Sequence, residues 1–144
     1  MATSAISSWG TVLRVGDGGG PEVFTTIAEL KDISGPGKAL GTTEVTTHAS
    51  PGRAREFIST LVDNGEVSFT VNFLITNATH DWLTGLMGDL DDGTRRNFQL
   101  QFPDAGTTTA AFAAFVTQFN PSEPVDGALE AEITLKLTGL ITWS

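Results

Sequence analysis

Few side chains in this sequence are of a type that performs catalysis or binds metal. His48 and His80 are the only imidazoles and fall on different segments, so a shared metal is not expected. Cysteine is absent, which removes thiolate ligands, disulfides and a thiol nucleophile. The run Asp89-Leu90-Asp91-Asp92-Gly93 has some of the acidic spacing of a calcium loop. Its glycine stands one position early, and Leu100 takes the place of the bidentate twelfth ligand. It reads instead as a helix stop with solvated carboxylates. Gly16-Asp17-Gly18-Gly19-Gly20 is followed by Pro21 where a dinucleotide fingerprint needs its third glycine. No Gly-x-Ser-x-Gly elbow is present. Glu130 and Glu132 would stand about 6.8 Å apart on one strand face, a loose match to a glycosidase pair that any water-facing strand can produce. Asn77-Ala78-Thr79 matches a glycosylation sequon by pattern alone. No enzyme, no cofactor and no metal site are expected.

The abundant residues point to architecture instead. The 144 residues suit one domain, 1–144. Charged residues are 17% and hydrophobic ones 40%, against the profile of disorder. There are 21 threonines, 16 glycines and 9 phenylalanines, a β-branched and turn-rich mixture that favours strands. Eight basic and 17 acidic side chains leave a net charge of −9, which excludes wrapping of nucleic acid by counterion release. It does not exclude a surface that nucleic acid must pass without sticking. Met1–Trp9 has neither a basic start nor an apolar stretch, so no secretory leader is expected. The longest apolar core in an uncharged run, Ala110–Val116, is far short of the ~20 residues of a spanning helix, so no membrane insertion is expected.

Several elements follow from periodicity. Strands are expected over Thr11–Val15, Phe24–Ile33, Glu66–Ile75, Arg96–Phe102, Thr109–Phe119 and Leu129–Thr138. Val67, Phe69, Val71, Phe73 and Ile75 alternate with Glu66, Ser68, Thr70 and Asn72, which sets an apolar and a polar face. Leu129, Ala131, Ile133, Leu135 and Leu137 do the same in the last strand. A phase slip between Phe112 and Phe115 predicts a bulge or burial on both sides. Leu83, Leu86, Met87 and Leu90 have helical spacing and predict one helix over 78–90, packed on a sheet edge. Residues 38–58, cut by Ser50-Pro51-Gly52, form either a long hairpin or a flexible loop of similar reach. The fold class is mainly β: two packed, roughly orthogonal antiparallel sheets, as a sandwich or partly closed barrel, with one flanking α-helix and a long hairpin-like loop.

The order of short motifs carries a resemblance. Gly10-Thr11-x-Leu13-x-x-Gly16-Asp17-Gly18 is followed by Glu22-x-Phe24-x-x-Ile27-Ala28 and Asp32-Ile33-Ser34-Gly35-Pro36-Gly37. Thr46-Thr47-His48-Ala49-Ser50-Pro51-Gly52 leads to Arg55-Glu56-Phe57-Ile58, then to Asp63-Asn64-Gly65-Glu66-Val67-Ser68-Phe69-Thr70. Phe98-x-Leu100-x-Phe102-Pro103-Asp104 and Leu135-Lys136-Leu137-Thr138-Gly139 complete the set. In that order the chain resembles the tail tube (major tail) proteins of long-tailed, non-contractile bacteriophages. It departs from them at Ser59-Thr60, where a Pro-Gly-like corner is usual, at Glu44 in place of aspartate, and at the threonines after Gly106.

The resemblance implies a virion protein, made in the host cytoplasm, that self-assembles into stacked hexameric rings forming a conduit for the genome. It implies as partners further copies of itself, a tape-measure protein, and terminator and tip proteins. A receptor- or carbohydrate-binding β-sandwich of a tail tip or adhesin is the alternative. Sparse aromatics and the absence of tyrosine argue against it, because sugar platforms use exposed Trp or Tyr. The threonine-rich segment 38–58 lacks core-forming side chains in its middle, so it suits an arm that orders on pairing with a neighbour. Its contact candidates are Thr43, Glu44, Val45, Thr46, Thr47, His48, Arg53, Arg55 and Phe57. Trp82, with His80 beside it, is expected to lean toward a neighbouring subunit. Glu66, Glu130 and Glu132, on the polar sides of their strands, are candidates for a lumen lining.

Overall fold

The computed structural model describes residues 2–144. In chain order the described residues form β1 (Val12–Gly16), β2 (Phe24–Thr26), β3 (Leu30–Ser34), β4 (Ala39–Glu44), β5 (Phe57–Asp63), β6 (Glu66–Asn72), α1 (Leu86–Asp92), β7 (Arg95–Gln101), β8 (Thr109–Ser122) and β9 (Glu130–Trp143). Seven strands make one antiparallel sheet in the order β2-β1-β7-β8-β9-β6-β3, while β4 and β5 pair only with each other. The outermost strands β2 and β3 do not pair, so the barrel stays open.

The expected two layers arise from one sheet folded over on itself. Strands β8 and β9 are 14 residues each, about 45 Å if straight, which is too long for a flat strand in a domain of this size. They bend at two register shifts, one between Ala111 and Ala113 and one between Val116 and Gln118. The first half of β8 pairs with β7 and the first half of β9 pairs with β6. Each long strand therefore serves both layers. Leu13, Phe98, Leu100 and Phe112 from one layer meet Val67, Phe69, Ile133 and Leu135 from the other in a single core. Each such side chain contributes roughly 1.5–3 kcal/mol by leaving water.

Four expectations need correction. The slip in β8 lies after Val116: Ala110, Phe112, Ala114 and Val116 keep the period of two, and Phe115 points outward. Phe24–Ile33 is not one strand, because Glu29 takes a left-handed corner (φ +58°) that sends β2 and β3 to opposite edges of the sheet. Strand β6 stops at Asn72, which leaves Ile75 exposed, and Leu129 is likewise exposed before β9 begins. The helix begins only at Leu86. Upstream, Asp81 Oδ1 accepts the backbone N–H groups of Leu83, Thr84 and Gly85, which fixes a tight turn instead of a first helical turn. Leu83 is consequently 73% exposed rather than packed.

The rest of α1 behaves as its spacing predicts. Leu86 is buried, and Met87 and Leu90 lie against the core. Gly93, at φ +67°, ends the helix in the left-handed conformation that glycine adopts cheaply. Asp89 is not solvated. Its carboxylate takes Arg96 Nη2 at 2.9 Å and Nε at 3.1 Å, and Arg96 Nη1 donates to Gly16 O at 3.3 Å. That pair ties α1 to β7 and to the end of β1. Burial pushes the Asp89 carboxyl up while the Arg96 guanidinium pulls it back.

Candidate assembly surfaces

Three exposed regions hold the residues singled out above. The first is a two-stranded arm. Strands β3 and β6 pair at Ser34–Ser68, and the same two chain segments pair again as β4 and β5 from Ala39–Asp63 onward. The arm is therefore the outward continuation of a sheet hairpin, with every position of β4 and β5 exposed. Of the two shapes left open for 38–58, the hairpin is the one adopted, and it extends to Asp63. Its register places Glu44 opposite Phe57 and Thr43 opposite Ile58. A shift between Leu40 and Thr42 falls at Gly41, where a Cβ would meet Thr60 Oγ1 at 2.6 Å and Leu61 O at 3.2 Å. A side chain there would force Thr60 to turn away and the two strands to part slightly.

The tip is built from side-chain hydrogen bonds. Thr46 Oγ1 accepts Glu56 N–H at 2.8 Å, Ser50 Oγ accepts Thr47 N–H at 2.9 Å, and Ser50 Oγ donates to Glu56 Oε2 at 2.6 Å. The turn Pro51–Arg53 follows, with Gly52 at φ +62° and Arg53 at φ +60°. Arg55 Nη1 lies 3.5 Å from Glu44 Oε2. Thr43, Glu44, Val45, Thr46, Thr47, His48, Arg53, Arg55 and Phe57 are thus brought together on one arm, all exposed.

Leu40, Leu61 and Val62 were not singled out by the sequence, yet they are 58, 84 and 57% exposed at the arm's base. By register Leu40 and Val62 are cross-strand neighbours on one face of the ribbon, whereas Ile58 pairs with Thr43 beyond the shift, on the other face. Their signal was the dense apolar run Phe57-Ile58-x-x-Leu61-Val62, which reads equally well as a core strand.

The second region is the outer face of β6 and β9. Register sets Glu66 opposite Lys136, Thr70 opposite Glu132 and Asn72 opposite Glu130. Glu66, Glu130 and Glu132 therefore share a face, as their alternation predicted. Lysines temper its charge: Lys31 Nζ is 2.7 Å from Glu130 Oε1, and Lys136 Nζ is 3.0 Å from Asp63 Oδ1. Neither lysine was marked in the sequence, because each lies far along the chain from its partner.

The third region is the loop before α1, which belongs to a different element from the arm. Trp82 is 52% exposed there, together with Leu83. His80 does not lean outward. It is fully buried, its Nδ1 accepting Leu74 N–H at 3.1 Å and its Nε2–H donating to Ala28 O at 2.8 Å. Burial pushes its pKa down, so the imidazole stays neutral and staples this loop to the β2–β3 corner. The sequon is spent on local structure, since Asn77 Oδ1 accepts both the Thr79 hydroxyl and its N–H. Among the described residues no cluster of His, Cys, Asp or Glu could hold a metal ion, and no helix is long and apolar enough to cross a membrane.

The described residues thus form an open, bent β-sandwich with a projecting two-stranded arm. The family model described as the lambda phage tail tube protein matches residues 15–144, and the chain belongs to that family. It is accordingly a virion tail protein. Solved structures share the fold at low identity. The tail of an empty gene transfer agent particle matches at TM-score 0.75 and 22% identity, covering 97% of this chain and 99% of that one. A chain of the native gene transfer agent virion gives 0.72 and 21%, with coverage of 97% and 99%. The SPP1 tail tube gives 0.65 and 14%, covering 92% of this chain and 75% of that one. A comparison with curated proteins finds no match.

Proposed function

We propose that this chain assembles into hexameric rings that stack into the tube of a non-contractile phage-type tail, with the arm as a principal contact between subunits. The gene transfer agent tail that it resembles is described with C6 symmetry. One chain of this size cannot surround a duplex, whereas head-to-tail contacts that close by rotation make rings. The observation that carries the reading is the arm itself: two strands exposed at every position, with Leu40, Phe57, Ile58, Leu61 and Val62 facing solvent. An isolated two-stranded ribbon is marginal in water. Backbone pairing or apolar packing against a neighbour supplies what it lacks, through Thr43–His48, Arg53, Arg55 and Phe57.

Trp82, on the loop that His80 and Asp81 hydrogen-bond in place, is a second contact, suited by its size to anchor in a partner's pocket. Glu66 and Glu132, with Glu130 partly neutralised by Lys31, line the bore in this reading. A lining of net negative charge leaves DNA no phosphate-binding trap as it slides. Further partners are a tape-measure protein within the bore and terminator and tip proteins at the ends. Negative-stain electron microscopy of the purified chain tests the proposal. Stacked tubes of uniform bore are expected; a dispersed monomer that binds glycans would contradict it.

A further inference from the structure

The ribbon that carries the arm leaves the body through a waist made of backbone. A Cβ on Gly35 would collide with Glu66 O, and one on Gly65 with Gly37 O, so the strands touch with no side chains between them. Beside this waist Asn64, only 8% exposed, donates from Nδ2 to the carbonyl of Gly139 at a left-handed kink of β9 (φ +78°). Asp63 Oδ1 takes the Gly65 N–H at 2.8 Å and Lys136 Nζ at 3.0 Å. Past these contacts a cleft of about 650 Å³, lined by Leu61, Val62, Leu137 and Leu140, separates the arm from the body. The buried Asn64 hydrogen bond, the exposed Lys136–Asp63 ion pair and a backbone bond from Leu137 N–H to Gly65 O at 3.0 Å hold the arm's base to β9.

The residues at the waist also form a reactive dipeptide. In Asn64-Gly65 the backbone nitrogen of Gly65, after losing its proton to solvent, can attack Asn64 Cγ. A ring C–N bond forms and the side-chain nitrogen leaves as ammonia. Water then opens the cyclic imide to aspartate or its β-linked isomer. Glycine offers no side chain to hinder the attack.

We propose that Asn64 is the latch of the arm and a deamidation site that the closed latch protects. With the arm latched, Nδ2 is bonded to Gly139 O and the attacking nitrogen is bonded to Asp63 Oδ1. Opening of the waist frees both. The carboxylate product has no donor for Gly139 O and stands beside Asp63, so the arm does not close again. A chain that has reacted is then withdrawn from assembly. That consequence rests on the tube reading, whereas the chemistry does not.

The test uses the unassembled full-length chain, so that failure of the tube reading leaves it intact. The chain is held at mildly alkaline pH with and without urea, and deamidation at position 64 is followed by peptide mass spectrometry. Conversion at least about tenfold slower without urea is expected, the mark of chemistry that waits on local opening. Asn64→Gln, whose imide ring would be larger, should show no conversion at that position. Hydrogen exchange then reads the latch. Asn64→Asp and Asn64→Ala should both speed exchange across residues 39–63 while β6 and β9 keep their protection. The alanine variant separates loss of the donor from added charge and stands in if the aspartate variant does not fold. Equal conversion with and without urea, or wild-type exchange of the arm in both variants, would overturn the proposal.

Discussion

Strands β5 and β6 are neighbours in sequence, joined by two residues, and both carry Phe, Val and other β-branched side chains, yet they end in opposite environments. In β6, Val67, Phe69 and Val71 are at most 2% exposed, because the folded-over sheet supplies a second layer above them. In β5, Phe57, Ile58, Leu61 and Val62 are all more than half exposed, because the arm is a single layer with nothing on either side. Apolar content therefore specifies that a strand seeks burial, not whether the same chain provides it. The body meets that requirement internally. The arm leaves it to another molecule.

Substitutions can break this contrast, beginning with the body. Phe98→Ala removes a ring stacked on Phe112 (centroids 5.8 Å apart) at the centre of the core and should cost about 3–5 kcal/mol, read by denaturant unfolding. Leu86→Ala, which lifts α1 off the sheet, should cost about 2–5 kcal/mol by the same measurement. Arg96→Ala leaves Asp89 buried without its partner. Because the Arg96 side chain is 24% exposed, a loss of about 2 kcal/mol is expected, below the value for fully buried pairs.

His80 sharpens the contrast through pH. Its ordinary value is 6.5, and burial holds the folded-state value lower. Above 6.5 the imidazole is neutral in both states and its stabilisation is complete. As pH falls below that, the unfolded chain binds a proton that the folded one refuses, so stability declines until the folded-state value is reached. Melting temperatures across this range should fall more steeply for the native chain than for His80→Gln. The smallest effect on folding belongs to the arm: Phe57→Ala should change unfolding free energy by no more than ~0.5 kcal/mol while reducing tube yield. A large loss of stability would make Phe57 part of the fold.

The same contrast explains what the sequence disclosed. Strands β6, β7 and the first half of β9 were readable because one side meets the core and the other meets water, so polar and apolar residues alternate strictly. Glu66, Glu130 and Glu132 fell on a common face for the same reason. The helix was read too long because Leu83 keeps the helical spacing although the backbone turn around Asp81 prevents it from reaching the core. His80 was misplaced because its two partners, Ala28 O and Leu74 N–H, are backbone groups that leave no trace in side-chain pattern. At the arm's threonine-rich tip the sequence left hairpin and flexible loop open, and at its base it pointed the wrong way. There Leu61 and Val62 look like core residues, and only the absence of an opposing layer reveals otherwise.

The central claim is that the arm serves assembly and not the fold, and removing it tests that most directly. A chain lacking Thr43–Ala54, with Thr42 and Arg55 bridged by a short Gly-Ser link, should melt with a cooperative transition close to that of the full chain. Electron microscopy of the same sample should show no tubes. Tubes of normal length from this variant, or a chain that no longer folds, would contradict the account.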